Sequence, residues 1–233
     1  MPLCDAMFLA PHPDDVEIAA AGTILRCVAR GQRVVVVDAT RGEKGSRGTE
    51  TERAAEAAAA ARLLGVVARE NLGLPDTQVQ ADDQATRKMV ALMRLAKPTL
   101  LFAPVERDVH PDHVAVATLA SRAFFLAGLR NYAPELGLAH RPRLLIRFPG
   151  NVPLEPTFAV DIGELAERKA EVLRCYRSQL QPPSRDHLVT GLDVLERAQA
   201  RDRFWGARIG CAAAEPFAVE GPLPLRDLAP LMG

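Results

Sequence analysis

Four short runs, each almost wholly apolar, alternate with segments of helical periodicity through the first 150 residues, and a fifth closes the series. The runs are AMFLAP (6–11), RVVVVDAT (33–40), ENLGL (70–74), TLLFAPV (99–105) and RLLIRFP (143–149). Between them the pattern predicts helices over 17–30 before Gly31, 50–64 before Gly65, 83–96 before Pro98 and 112–127 before Gly128. Strands that are apolar throughout, rather than on every second residue, are covered on both faces. Strands separated by helices build a mostly parallel sheet. The expected class is therefore α/β: a Rossmann-like, mostly parallel sheet flanked by helices on both faces.

The remaining residues read differently. PTFAVDI (156–162) is a further strand, 164–180 and 191–210 are helices, and EPFAVEGPLPLRDL (215–228) is a proline-rich tail. At 233 residues the chain is expected to form one domain, a core over 1–150 and an extension over 151–233 around the rim of the sheet. Lys plus Arg and Asp plus Glu both total 29, so the net charge is zero, and no basic run argues for nucleic acid. No apolar stretch is long enough to span a bilayer and no leader pattern opens the chain, so the expectation is a cytoplasmic protein without a membrane partner. Cys4, Cys27, Cys175 and Cys211 are scattered, which suits reduced thiols better than metal ligands or disulfides.

Open α/β sheets bind ligands beyond the carboxyl ends of their strands. Three loops there are rich in polar chemistry: PHPDD after the first strand, TRGEKGSRGTE after the second and ERDVHPDH after the fourth. Three of the five histidines, His12, His110 and His113, sit in HPDD and HPDH. The spacing of three lets His12 and Asp15 turn toward one point while Asp14 diverges, and brings His110 near His113. Acids and imidazoles beside a buried strand are costly unless a cation is held among them. Two imidazoles and a carboxylate suit Zn²⁺ better than Mg²⁺, and three protein ligands leave one position open for water.

These motifs, with LGLPD and ERAAEA, resemble the LmbE-like (PIG-L) family of metal-dependent N-acetylglucosaminyl deacetylases. LRCYRSQL, RDRFWGARIG and AEPFAVEGPLPLRDL resemble the branch that deacetylates N-acetylglucosaminyl-malate in bacillithiol synthesis. The resemblance implies one Zn²⁺ per subunit held by His12, Asp15 and His113, with Asp14 as general base and His110 supporting the oxyanion. It also implies a small N-acetyl sugar as substrate and a homohexamer.

Other polar residues at the same edge are expected at the substrate. Arg41 and Glu43 belong to a glycine-rich loop that the resemblance makes a lid, and Arg53 is a pocket arginine on the same ground. Asp76 is placed to bind sugar hydroxyls, and Arg107 and Asp108 lie just before HPDH, where Arg107 would pair with a carboxylate. Glu17 is a helix-start acid or a partner of a histidine. His140 and His187 have no motif context, and Tyr176, Ser178, Gln179 and Trp205 are packing or inter-subunit residues. Two alternatives stand beside malate: another small N-acetylglucosamine conjugate, and a non-catalytic metabolite-binding module. The second requires a glycine-rich phosphate turn after the first strand, where PHPDD stands instead.

Overall fold

A computed structural model describes residues 1–180 and 193–223. Seven strands form one sheet in the order β3-β2-β1-β4-β5-β7-β6. These are β1 (Ala6–Ala10), β2 (Val34–Asp38), β3 (Ala68–Asn71), β4 (Leu100–Pro104), β5 (Leu144–Phe148), β6 (Phe158–Asp161) and β7 (Ala214–Val219). The first five run parallel, whereas β7 is antiparallel to both its neighbours. All five residues of β1 are buried. Met7 and Leu9 face one hydrophobic cluster and Ala6, Phe8 and Ala10 the other, as alternation across a sheet covered on both faces requires.

Among the described residues six α-helices cover it: α1 (Asp15–Ala29), α2 (Glu50–Leu64), α3 (Asp83–Ala96), α4 (Pro111–Ala127), α5 (Ala166–Leu173) and α6 (Val194–Ile209). Their ends follow local chemistry. Thr49 and Glu52 form a reciprocal capping box at the start of α2, and Gly65 ends that helix in the left-handed region at φ 73°. His110 caps α4 and Pro111 takes its first position.

Three expectations shift. The third strand lies at 68–71 rather than 70–74, because the register with β2 begins at Val35 opposite Ala68. The helix expected over 164–180 is a 3-10 turn at Gly163–Leu165 followed by the short α5, after which the chain turns so that Tyr176 is buried with its hydroxyl on Glu17 Oε1 at 2.9 Å. The expected proline-rich tail contains β7, inserted between β5 and β6. Pro216 pairs with Ala159 of β6 while β5 reaches only Ala218 and Val219, so the proline has a neighbour on one side alone, a condition a strand tolerates.

The C-terminal elements also grip α1. Glu215 of β7 accepts hydrogen bonds from the Gly22 and Thr23 backbone N–H groups at 2.9 and 2.7 Å and from the Thr23 hydroxyl at 2.6 Å. Arg201 of α6 donates to the Ile18 carbonyl. Buried Lys169 of α5 pairs with Glu215 and Asp202, each at 2.7 Å. Gly22 is required here, since a Cβ would lie 2.6 Å from the Ile162 side chain.

Candidate metal centre and active site

The strand order reverses between β1 and β4, with β2 and β3 on one side and β5 on the other. Loops leaving the carboxyl ends of β1 and β4 separate there and open a crevice. HPDD follows β1 and HPDH follows β4, so the topology alone brings the two motifs together. The ring centroids of His12 and His110 lie 4.8 Å apart, those of His110 and His113 5.1 Å, and those of His12 and His113 5.5 Å.

Two sets of donor atoms are close enough to hold one ion, His12 with Asp15 and His113, and His12 with His110 and Asp112; in each the atoms lie within 4.8 Å of one another. The second set is already engaged. Asp112 accepts from the Thr77 and Val79 backbone at 2.7 and 3.2 Å, and His110 Nδ1 accepts from the Asp112 N–H at 3.2 Å. In the first set Asp15 Oδ2 lies 3.1 Å from His12 Nδ1 and 3.3 Å from His113 Nε2.

Each histidine of that set has a carboxylate behind it. His12 Nε2 is 3.2 Å from both Asp76 and Asp112, and His113 Nδ1 is 3.2 Å from Asp108. A carboxylate on the outward nitrogen fixes the tautomer, aims the other nitrogen inward and raises its basicity, as is usual for metal-bound imidazoles. The residues therefore fit a divalent cation of the zinc type.

Electrostatics agree. Burial lowers the His12 imidazole, but Asp15, Asp76 and Asp112 outweigh it and hold it up at about 9. Burial pulls His113 down too, and Asp15 and Asp108 reverse that. Burial raises Asp15, yet His113 and His12 carry it well below the usual carboxylate range. Asp14 is pushed up to about 8 by burial and by the negative charge of Asp15 beside it. Burial and the two neighbouring imidazoles lower His110. With Nδ1 accepting from the Asp112 N–H, the proton of the neutral ring sits on Nε2.

The expected substrate residues divide. Arg53 is buried and lines the pocket, donating to the Pro13 and Gly42 carbonyls at 2.6 and 3.2 Å and lying 3.5 Å from Asp14. Gly42 makes room for it, because at φ 68° a Cβ there would collide with the guanidinium. Asp76 lines the pocket, with Oδ1 facing His12 and Oδ2 accepting from Lys44 N–H at 2.7 Å. Asp108 likewise positions His113 and accepts from the His110 and Asn151 N–H groups, both at 2.8 Å. Glu43 is exposed and staples its loop to the Asp76 N–H at 2.9 Å. Arg41 is exposed and pairs with Glu50 at 3.3 Å, and Arg107 is exposed; neither is among the residues lining the cavity.

Glu17 is an acid of the first turn of α1, as expected, and is fully buried there, bound to Arg69 and Tyr176 rather than to a histidine. Gln179 lines the pocket and donates to the Arg47 carbonyl at 3.0 Å, while Ser178 bonds Glu56, so this segment holds the glycine-rich loop. His140 bonds the Pro98 carbonyl away from the site, and His187 lies outside the described residues. Trp205 packs edge-on against Phe204. Sequence reasoning missed Asp112, Asn151 and Gly150. A Cβ on Gly150 would collide with Asp108 Oδ2 and the His113 ring.

The chain matches the family model described as PIG-L, GlcNAc-PI de-N-acetylase, over residues 7–124. The crystal structure of the conserved protein TT1542 from Thermus thermophilus is 38% identical, with a TM-score of 0.87 and coverage of 97% of this chain and 98% of that one. The diacetylchitobiose deacetylase of Thermococcus kodakarensis is 28% identical over 182 residues, 73% of this chain and 68% of the relative. The 1D-myo-inositol 2-acetamido-2-deoxy-alpha-D-glucopyranoside deacetylase of Salinispora arenicola is 30% identical over 157 residues, 53% of this chain and 51% of the relative. The chain thus spans about half the length of that inositol-sugar relative.

Proposed function

This chain belongs to the PIG-L family, and from that membership we propose that it is a metal-dependent hydrolase cleaving the acetamide of an N-acetylglucosamine conjugate to acetate and a free amine. The observation that carries this reading is the convergence of His12, Asp15 and His113 donor atoms within 4.8 Å. The names of the relatives support the substrate class. Zinc is the ion proposed, one per subunit, because two imidazoles and one carboxylate with a position to spare suit it.

His12, Asp15 and His113 would hold a divalent ion, which when bound would supply polarisation of the acetyl carbonyl and acidification of a water. Asp14 lies beside Asp15 but outside the ligand set; a cation on Asp15 would offset the charge that holds Asp14 up and leave it ionised to take the proton of the attacking water. Its carboxyl, raised by burial, then carries that proton to the departing amine. Arg53, 3.5 Å away, holds the Asp14 carboxylate in place. His110 donates from Nε2 to the carbonyl oxygen as charge builds on it.

The conjugate we propose is N-acetylglucosaminyl-L-malate, supported by the likeness of the C-terminal segments to that branch, with cytoplasmic residence and a homohexamer as parts of the same reading. A second reading, deacetylation of a chitobiose-like or inositol-linked sugar, is favoured by the relatives' named substrates. Incubation with N-acetylglucosaminyl-malate, diacetylchitobiose and free N-acetylglucosamine, with and without chelator, separates these by release of primary amine. Chelator-sensitive release, fastest from the malate conjugate, is expected. Release undiminished by chelator, or none from any of the three, would overturn the proposal. His113→Ala is expected to lose metal and turnover together.

A further inference from the structure

The cavity at the triad has two lobes. One, of about 470 Å³, is walled by polar groups that include Lys44, Ser46, Arg53 and Asp76. The other, of about 440 Å³, shares Asp14, Asp15 and His113 with the first and runs past Phe148 and Val152 to Arg197 and Arg201 on α6. The triad lies at the seam. A substrate whose acetamide reacts there has both lobes available for the rest of its structure.

The chemistry of the substrate class indicates how they are used. A 2-acetamido sugar carries its reacting group on C2, and the adjoining C1 carries the aglycone. A hexosamine whose hydroxyls meet the polar lobe therefore projects its aglycone across the seam. The second lobe meets it with an apolar wall and guanidinium groups.

None of the arginines expected at the substrate, Arg41, Arg53 and Arg107, lines this second lobe. Arg41 pairs with Glu50, Arg107 lines neither lobe, and Arg53 is engaged by Asp14 and two carbonyls. Arg197 and Arg201 are four apart and share one face of α6, a like-charge spacing that opposes the helix. Arg201 is anchored by Asp202 at 3.1 Å and by the Ile18 carbonyl. Arg197 is exposed, and among the described residues its guanidinium makes no ion pair or hydrogen bond. A guanidinium with that freedom, in a lobe it shares with an apolar wall, Asp15 and His113, is built to receive a carboxylate.

We infer that the second lobe is the aglycone subsite and that Arg197, backed by Arg201, selects conjugates whose aglycone carries a carboxylate. The inference rests on the deacetylase reading and adds to it the residue that chooses the substrate. It is tested by calorimetric binding of the phenyl and 4-carboxyphenyl glycosides of N-acetylglucosamine to the zinc-loaded Asp14→Asn protein at low salt. The carboxylate glycoside is expected to bind roughly tenfold more tightly. Arg197→Gln on that background erases the difference while leaving the phenyl Kd unchanged, and Arg197→Glu inverts it. Equal Kd values before substitution, a preference that survives Arg197→Gln, or no measurable binding of either glycoside overturns the inference. Absence of amine release from both glycosides by the unsubstituted protein would refute the deacetylase reading separately, while the Kd comparison still decides the subsite.

Discussion

Asp14 occupies φ 115°, ψ −29°, a left-handed position that costs a non-glycine residue about 1–3 kcal/mol. The strain is specific to the turn that sets Asp14 and Asp15 in different directions, one toward Arg53 and the other toward the histidines. Replacing Asp14 by Gly is expected to raise stability in urea by about 1 kcal/mol and abolish turnover. Asn tolerates this conformation, so Asp14→Asn should keep metal and fold and lose only turnover, as metal analysis and acetate release will show. His12 is held up at about 9, so near neutrality a proton competes with the ion. Because the imidazole must lose that proton to act as a ligand, metal affinity should rise with pH up to about 9 and fall toward pH 6. Titration against a competing chelator at about pH 6, 7 and 8 measures this. The three ligand candidates were legible because HPDD and HPDH carry their own spacing. The contacts of Asp76 with His12 and of Asp108 with His113 were not legible, because they depend on which nitrogen of a distant histidine faces each carboxylate, a matter of three dimensions alone.

At the level of elements, boundaries set by local chemistry were readable. The limits of α2 match the expected 50–64 because Gly65 punctuates the chain. β3 was displaced by its composition, since Arg69, Glu70 and Asn71 occupy an edge strand and carry no apolar signal. β7 was hidden by the Pro216 that its one-sided pairing permits. The loop after β5 drew no expectation, yet it carries Gly150 against Asp108 and His113, and Asn151 N–H on Asp108 at 2.8 Å. Gly150→Ala should therefore push Asp108 off the imidazole and weaken metal binding by about 10–100-fold, as loss of a carboxylate behind a metal-bound histidine does. Chelator competition is the measurement, and circular dichroism should show the fold retained.

For the molecule as a whole, α1 carries Asp15 at its first turn and is gripped farther along by residues from the last third of the sequence. The Lys169, Asp202 and Glu215 cluster joins α5, α6 and β7 into that grip. Lys169→Met would leave the buried Glu215 carboxylate without its cation and Asp202 with Arg201 alone, with an expected loss of about 3–5 kcal/mol in urea denaturation. A Lys169→Met, Glu215→Gln double variant should recover part of it, since the two changes act on one network. None of this could be read from periodicity, because the partners are brought together only by the sheet. The position of β7 has one more effect. It is the last described strand in the chain but the penultimate one in the sheet, and among the described residues β6 pairs with nothing else. As the polypeptide leaves the ribosome, β5 keeps an open edge and β6 has no neighbour until residues 214–219 arrive. Glu215, which clasps the helix leading from the HPDD turn, arrives with them, so that clasp closes late in synthesis.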